Sequence, residues 1–166
     1  MDEQTGPSLQ ERYAPRSICF GCGPANEQGL RIRSFPHGDG LVTIWTPAPH
    51  HQAFEGAVNG GIIASLFDCH CNWTAAWQLM RDRGAGELPS TVTAEFHVRF
   101  RRPTPSGRPL TLHSRVVEAG SDRVTVEATL ESDGTVCATG GGLFVAVGPG
   151  HPAYHRWGGP ATRQEG

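Results

Sequence analysis

From Ile62 to Met80 the chain runs through a mainly apolar stretch with one acidic residue, Asp68, and two glycines, Gly60 and Gly61, stand just ahead of it. No other feature narrows the possible folds as much. The stretch is long enough to be a helix rather than a strand. Hydrophobic residues lie all round it, which predicts burial on every side. The segments 30–35 and 41–46 before it alternate as strands, separated by the turn signal Pro-His-Gly-Asp-Gly. Four more alternating segments follow, at 90–102, 109–120, 123–132 and 135–147, with turn chemistry between them. Two strands, one long helix and four strands make an α+β chain. Its helix finds cover if a curved antiparallel sheet of about five to six strands wraps around it.

At 166 residues, 37% of them hydrophobic and 18% charged, the chain has the size and composition of one globular domain. Residues 1–17 are polar and residues 148–166 are dense in Gly and Pro, so both are expected as loose or draped tails around a domain at 18–147. No apolar run is long enough to span a membrane, and the N-terminus lacks the apolar core of a secretory signal. A net charge of −2 gives no electrostatic case for nucleic acid or an anionic membrane surface. Five cysteines, an odd number without an export signal, favour a reducing, cytoplasmic setting.

At about 100° per residue, Ile62, Leu66, Trp73, Trp77 and Met80 share one helix stripe, expected to pack into the sheet. Asp68 lies nearly opposite, with Ala64, Cys71 and Ala75, on a side small enough to face another chain. Two roles suit Asp68: a structural acid, or a base or nucleophile whose pKa is raised in an apolar cleft. Gly60 and Gly61 likewise suit either a plain Gly-rich loop capped by Asn59, or a helix start whose bare N–H groups polarise a carbonyl. Gly60 and Asp68 are about 12 Å apart along one helix, too far to serve one reacting carbon. If both are catalytic, the sites lie between subunits, where antiparallel helices of a twofold dimer bring one chain's helix start to the other's carboxylate.

The element order, with Gly-Ala-Val-Asn-Gly-Gly-Ile-Ile-Ala-Ser-Leu-Phe-Asp at 56–68, resembles the hotdog-fold acyl-CoA thioesterases of the phenylacetate-degradation branch. Their His-Gly-Gly and spaced acid map onto Asn59-Gly60-Gly61 and Asp68. The opening Cys-Phe-Gly-Cys-Gly at 19–23 is similar to that of one subgroup, and the likeness runs from Cys19 to Val147. The resemblance implies Gly60 and Gly61 amides on the thioester carbonyl, Asp68 of the partner chain as nucleophile or general base, and Thr93 holding the water. It implies a homodimer or dimer of dimers acting on acyl-CoA or an acyl-carrier protein, with no cofactor. Two positions depart from the pattern. Asn59 replaces the usual His and is expected to cap the helix, and Ala53 replaces an amide side chain that Gln52 or His51 can supply, with Phe54 beside them at the substrate. These departures keep two alternatives open, an acyl-thioester hydratase or dehydratase and a non-catalytic acyl-thioester-binding protein.

Cys19 and Cys22 have the spacing of half a zinc site, but no second such pair exists. His50, His51, Cys69, His70 and Cys71 complete it only if the loops converge, so no metal is expected. Cys69 and Cys71 are expected as small packing residues and His70 as a satisfied core histidine. Arg99, Arg101 and Arg102 suit either a coenzyme A phosphate or a charged strand edge.

Overall fold

A computed structural model describes residues 4–158. Strands β1 (Phe35–His37), β2 (Gly40–Trp45), β5 (Thr91–Phe100), β6 (Leu110–Ala119), β7 (Arg123–Ser132) and β8 (Thr135–Ala146) form one antiparallel sheet. Its order is β1-β2-β6-β7-β8-β5. A small hairpin of β3 (Gln52–Phe54) and β4 (Ala57–Val58) precedes the helix α2 (Gly60–Asp82). The helix lies against β5, β6, β7 and β8 and also touches β2. This is the α+β arrangement expected from the sequence, one long helix held by a six-stranded sheet. None of the described helices is long and apolar enough to cross a membrane.

Local chemistry sets the hairpins. Asp133 and Gly134 both have positive φ, 49° and 77°, between the paired Ser132 and Thr135. That is the two-residue turn whose twist suits adjoining strands. In the middle of β8, three successive glycines let neighbours close in. A Cβ at Gly141 would collide with the Val126 carbonyl on β7, and one at Gly140 would meet the His97 carbonyl on β5 and the Phe67 ring of α2. The helix therefore rests on bare backbone at this point.

Four expectations need correcting. The segment 30–35 is irregular, with Arg31 at a φ of 54°, and lies outside the sheet except at its last residue. The Leu30 and Ile32 amides bond instead to the Phe20 and Gly21 carbonyls, at 2.8 and 3.0 Å. The described part of the N-terminal segment is not loose. A short helix, α1 (Leu9–Tyr13), starts with Ser8 and Glu11 bonded reciprocally, and Leu9 and Ala14 are buried. The stripe of Ile62 to Met80 does not all face the sheet. Trp73 packs against Trp157, the rings tilted by 46° with centroids 4.6 Å apart, and its Nε1 donates to Cys22 Sγ. Lastly, Cys71 and Ala75 are fully buried within one protomer, so they are not left for another chain. Residues 148–158 drape over the structure in turns, with Trp157 Nε1 bonded to the Pro89 carbonyl at 3.0 Å. The remaining tail expected at 159–166, and residues 1–3, lie outside the described residues.

A polar chain crosses the core beneath α1. Gln10 Nε2 donates to Ser34 Oγ at 3.0 Å, and Ser34 Oγ lies 2.8 Å from His70 Nδ1. His70 Nε2 lies 3.3 Å from the Leu41 carbonyl and 3.1 Å from Ser114 Oγ, which meets Thr74 Oγ1 at 2.6 Å. Since Ser34 Oγ already accepts from Gln10, its proton is free for Nδ1, which puts the imidazole proton on Nε2. Complete burial holds the His70 pKa down to about 4, against the Leu41 bond, which raises it, and with help from His113. It is the satisfied core histidine the sequence suggested.

Candidate active site

The β3–β4 hairpin delivers the chain to the start of α2. The Val58 amide bonds to the Thr104 carbonyl and the Asn59 amide to the His51 carbonyl, at 2.9 and 2.8 Å. Asn59 then caps the helix, its Oδ1 accepting from the Gly61 amide at 2.8 Å and the Ile62 amide at 3.3 Å. Both partners are donors, so the oxygen must point into the helix and Nδ2 away from it. The cap expected of Asn59 is present, but it corrects the role expected of Gly61. That N–H is already engaged. Gly60, at the first helical position, has no intrahelical acceptor for its own N–H. The Phe100 ring covers Gly60 closely enough that an added Cβ would touch it at 3.5 Å.

Two turns on, Asp68 is half-buried at the side of the helix facing β5. Thr93 Oγ1 donates to Asp68 Oδ1 at 2.6 Å, a short charge-assisted bond. Among the described residues this is the carboxylate's one hydrogen bond, so Oδ2 is left for another donor. A bulge makes the pairing possible. Thr93 pairs with Phe144 and Glu95 with Leu143, leaving Ala94 unmatched. Before the bulge, Thr91 and Thr93 reach the helix, where Thr91 donates to Asn72 Oδ1 at 2.5 Å. After it the parity flips. Val98 packs on the core and Phe100 on the helix start, while His97, Arg99 and Arg101 turn to the opposite face. Phe96 and Phe100 stay 43% and 54% exposed on this edge strand, an apolar strip the sequence reading did not single out.

The expected substrate contacts come out differently. Gln52 is used up locally, its Oε1 accepting from the Gly56 amide and Ser106 Oγ and its Nε2 donating to the Pro49 carbonyl. His51 Nδ1 accepts from the Ala48 amide at 2.9 Å, and its ring packs on Trp45 and His50. Burial, then the charge of His50, lowers its pKa. The Gln52 amide is therefore committed within the hairpin, and His51 Nδ1 to the turn before it. Phe54, 67% exposed, remains available to a ligand. Within one protomer none of the described histidines bonds to Asp68.

The cysteines hold a further departure. Cys69 is more than packing: its Sγ lies 3.8 Å from Cys19 Sγ, and Cys19, Cys22 and Cys69 all fall within 4.8 Å of one another. Cys22 and Cys69 donate toward Cys19, so its thiol pKa is strongly lowered while that of Cys22 is pushed up to about 12. No loop had to converge, because the long helix supplies the third sulfur. Cys71, pushed up by burial and by the Asp68 charge, is the inert packing thiol expected. Arg99 and Arg101 line an open cleft with His37, His97 and His113, on the face of the sheet away from the helix.

With this geometry in hand, likeness to known proteins is decisive. The sequence model of the thioesterase superfamily matches residues 55–139, more than half of the chain. The chain belongs to the thioesterase superfamily. The matched residues take in the whole of α2, including Asp68, and the strand carrying Thr93. Among solved structures, a thioesterase superfamily protein from Shewanella loihica PV-4 is 31% identical, over 75% of this chain and 98% of that one, with a TM-score of 0.61. The E. coli PaaI protein of the phenylacetic acid degradation operon shares the fold at 18% identity, over 72% and 81% of the two chains, with a TM-score of 0.61. So does smu.793 from Streptococcus mutans UA159, solved bound to acetyl CoA, at 16% identity over 70% and 89%, with a TM-score of 0.58. No curated protein matches this thioesterase superfamily chain significantly.

Proposed function

We propose that the protein hydrolyses acyl thioesters, with coenzyme A as the preferred carrier, and that Asp68 is its general base or nucleophile. The observation that carries this is the Asp68–Thr93 bond at the β5 bulge. It fixes one carboxylate oxygen and leaves the other for a water or for the thioester carbon. As a base, Asp68 takes a proton from water while the water oxygen bonds to the carbonyl carbon. Collapse of the tetrahedral intermediate breaks the C–S bond and returns the proton to the leaving thiolate. The developing oxyanion needs donors that are fixed in advance. The Gly60 N–H and the outward Asn59 Nδ2 supply them at the helix start, while the Gly61 N–H serves the cap.

A homodimer completes the site, because one helix holds its carboxylate and its start too far apart. The half-exposed Phe96 and Phe100 on the free edge strand, with Phe100 next to Gly60, suit a second copy as their cover. The acetyl CoA bound to the Streptococcus mutans relative supports the choice of carrier, and five free cysteines accord with a reducing cytoplasm.

Thiol release from a panel of acyl-CoA thioesters, comparing wild type with Asp68→Asn at matched assembly, tests the proposal. Turnover should fall by about 10²-fold or more in the variant. Equal turnover would remove Asp68 from the chemistry. One observation favours a second reading, an acyl-thioester-binding protein without turnover: Asn59 Oδ1 occupies the Gly61 amide. Acyl-CoA binding with no thiol release across the panel would establish that instead.

A further inference from the structure

The cluster of Cys19, Cys22 and Cys69 stands outside the chemistry assigned to Asp68. Cys22 and Cys69 are buried and Cys19 is half-exposed. The three sulfurs come from two elements far apart in sequence, the loop at 19–23 and the middle of α2. Two glycines make their approach possible. A Cβ at Gly21 would run into Cys69 Sγ, and one at Gly23 into the Cys19 backbone and the Ser17 carbonyl. The loop is further pinned by bonds from the Leu30 and Ile32 amides. Around the sulfurs stand N–H donors: the backbone amides of Gly21 and Cys22 toward Cys19, and Trp73 Nε1 at 3.2 Å from Cys22 Sγ.

We propose that Cys19, Cys22 and Cys69 form a site for a thiophilic divalent cation, zinc first among them, with three thiolate ligands and water in the fourth position beside the half-exposed Cys19.

Distance separates a metal from a disulfide here. Zinc–sulfur bonds of about 2.3 Å in a tetrahedron place neighbouring sulfurs about 3.8 Å apart. Cys19 and Cys69 are 3.8 Å apart and no pair in the cluster exceeds 4.8 Å. A disulfide needs sulfurs at about 2.05 Å, and it strands the third thiol. Thiolate sulfur selects zinc or copper(I) over magnesium or calcium. On binding, the thiols release their protons to solvent, and three thiolates with one divalent cation leave a single net negative charge. The Trp73 indole and the Gly21 and Cys22 amides are placed to stabilise that charge, as outer donors do around metal thiolates. The metal would tie the irregular segment at 18–34 to α2 at the residue following Asp68. It is a structural staple.

Untagged protein, purified under reducing conditions without chelator and dialysed, should carry about one zinc per chain by elemental analysis. Cys137→Ser, at a buried cysteine outside the cluster, should keep that metal, and Cys19→Ser should lose it. Because Cys19→Ser can fail to fold, a second measurement uses wild type alone. Stripped, reduced protein is titrated anaerobically with cobalt(II), which should saturate at about one equivalent with sulfur-to-cobalt charge-transfer bands and tetrahedral d–d bands. Absence of both zinc and cobalt–thiolate bands would overturn the proposal, as would a disulfide among these cysteines in folded protein purified without reductant. Metal retained equally by folded Cys19→Ser would move the site elsewhere and overturn it too.

Discussion

His70 gives the most quantitative consequence of the fold. Its ring is completely buried, with Ser34 on Nδ1 and the Leu41 carbonyl and Ser114 on Nε2. A proton added to Nδ1 puts a charge in the core and turns the Ser34 hydroxyl away from its acceptor. Burial accordingly lowers the pKa from 6.5 to about 4. The unfolded chain binds this proton below pH 6.5, whereas the folded chain refuses it until about pH 4. The stability contributed by keeping His70 neutral is therefore fully present above pH 6.5 and is lost as pH falls toward 4. The difference corresponds to about 3 kcal/mol in all, with a slope near 1.4 kcal/mol per pH unit inside the window. Urea unfolding at fixed protein concentration, from about pH 8 down to about pH 5, measures it before most carboxylates titrate. His70→Gln keeps a donor and an acceptor but cannot titrate. It should be less stable at pH 8 and show a flatter pH dependence than wild type. If both proteins lose the same stability between pH 7 and 5, His70 is not the group responsible and the reasoning from its burial fails.

Other outcomes follow from single bonds. Thr93→Val deletes the donor to Asp68 and should lower kcat for thioester hydrolysis by roughly 10- to 100-fold, from the 1.5–3 kcal/mol typical of a hydrogen bond to a charged group, with KM little changed. Asn59→Asp keeps the cap but removes the Nδ2 donor. Its melting temperature should match wild type while kcat falls, and a proportional loss of both would mean that Asn59 only caps. Gly140→Ala forces a methyl group against the His97 carbonyl and the Phe67 ring, and denaturant unfolding should show a loss of about 1–3 kcal/mol.

The sequence carried the architecture well because the signals were local. Strand alternation, the Asp133-Gly134 turn and an apolar run too long for a strand each act over a few residues. Asp68 was legible as a carboxylate in an apolar helix, and Asn59 as a cap beside two glycines. What escaped depends on contacts between distant residues. Helical periodicity showed two opposed faces of α2 but not what covered them. Cys71 and Ala75 are buried in their own protomer, whereas Trp73 is met by Cys22 and Trp157 from the ends of the chain. Cys69 read as packing because nothing local ties it to a loop 50 residues earlier. Gln52 suited a ligand contact by type, yet its own hairpin claims its amide, and His51 Nδ1 is taken by the Ala48 amide in the preceding turn. The glycine run in β8 looked like ordinary strand, although three bare residues in sequence were a sign that other groups approach closely.

The unmatched Ala94 has a consequence for how such a protein can change. The half of β5 before it takes its setting from α2, through Asn72 and Asp68. The half after it bears the exposed phenylalanines and the arginine-lined outer face. One spare residue between them works like a slip joint. Substitutions that re-angle the distal half, and whatever docks against it, need not disturb the hydroxyl on the carboxylate. Deleting that residue would run Thr93 straight into Glu95 in regular alternation, so each distal residue would keep its partner on β8 while the two halves became rigidly coupled.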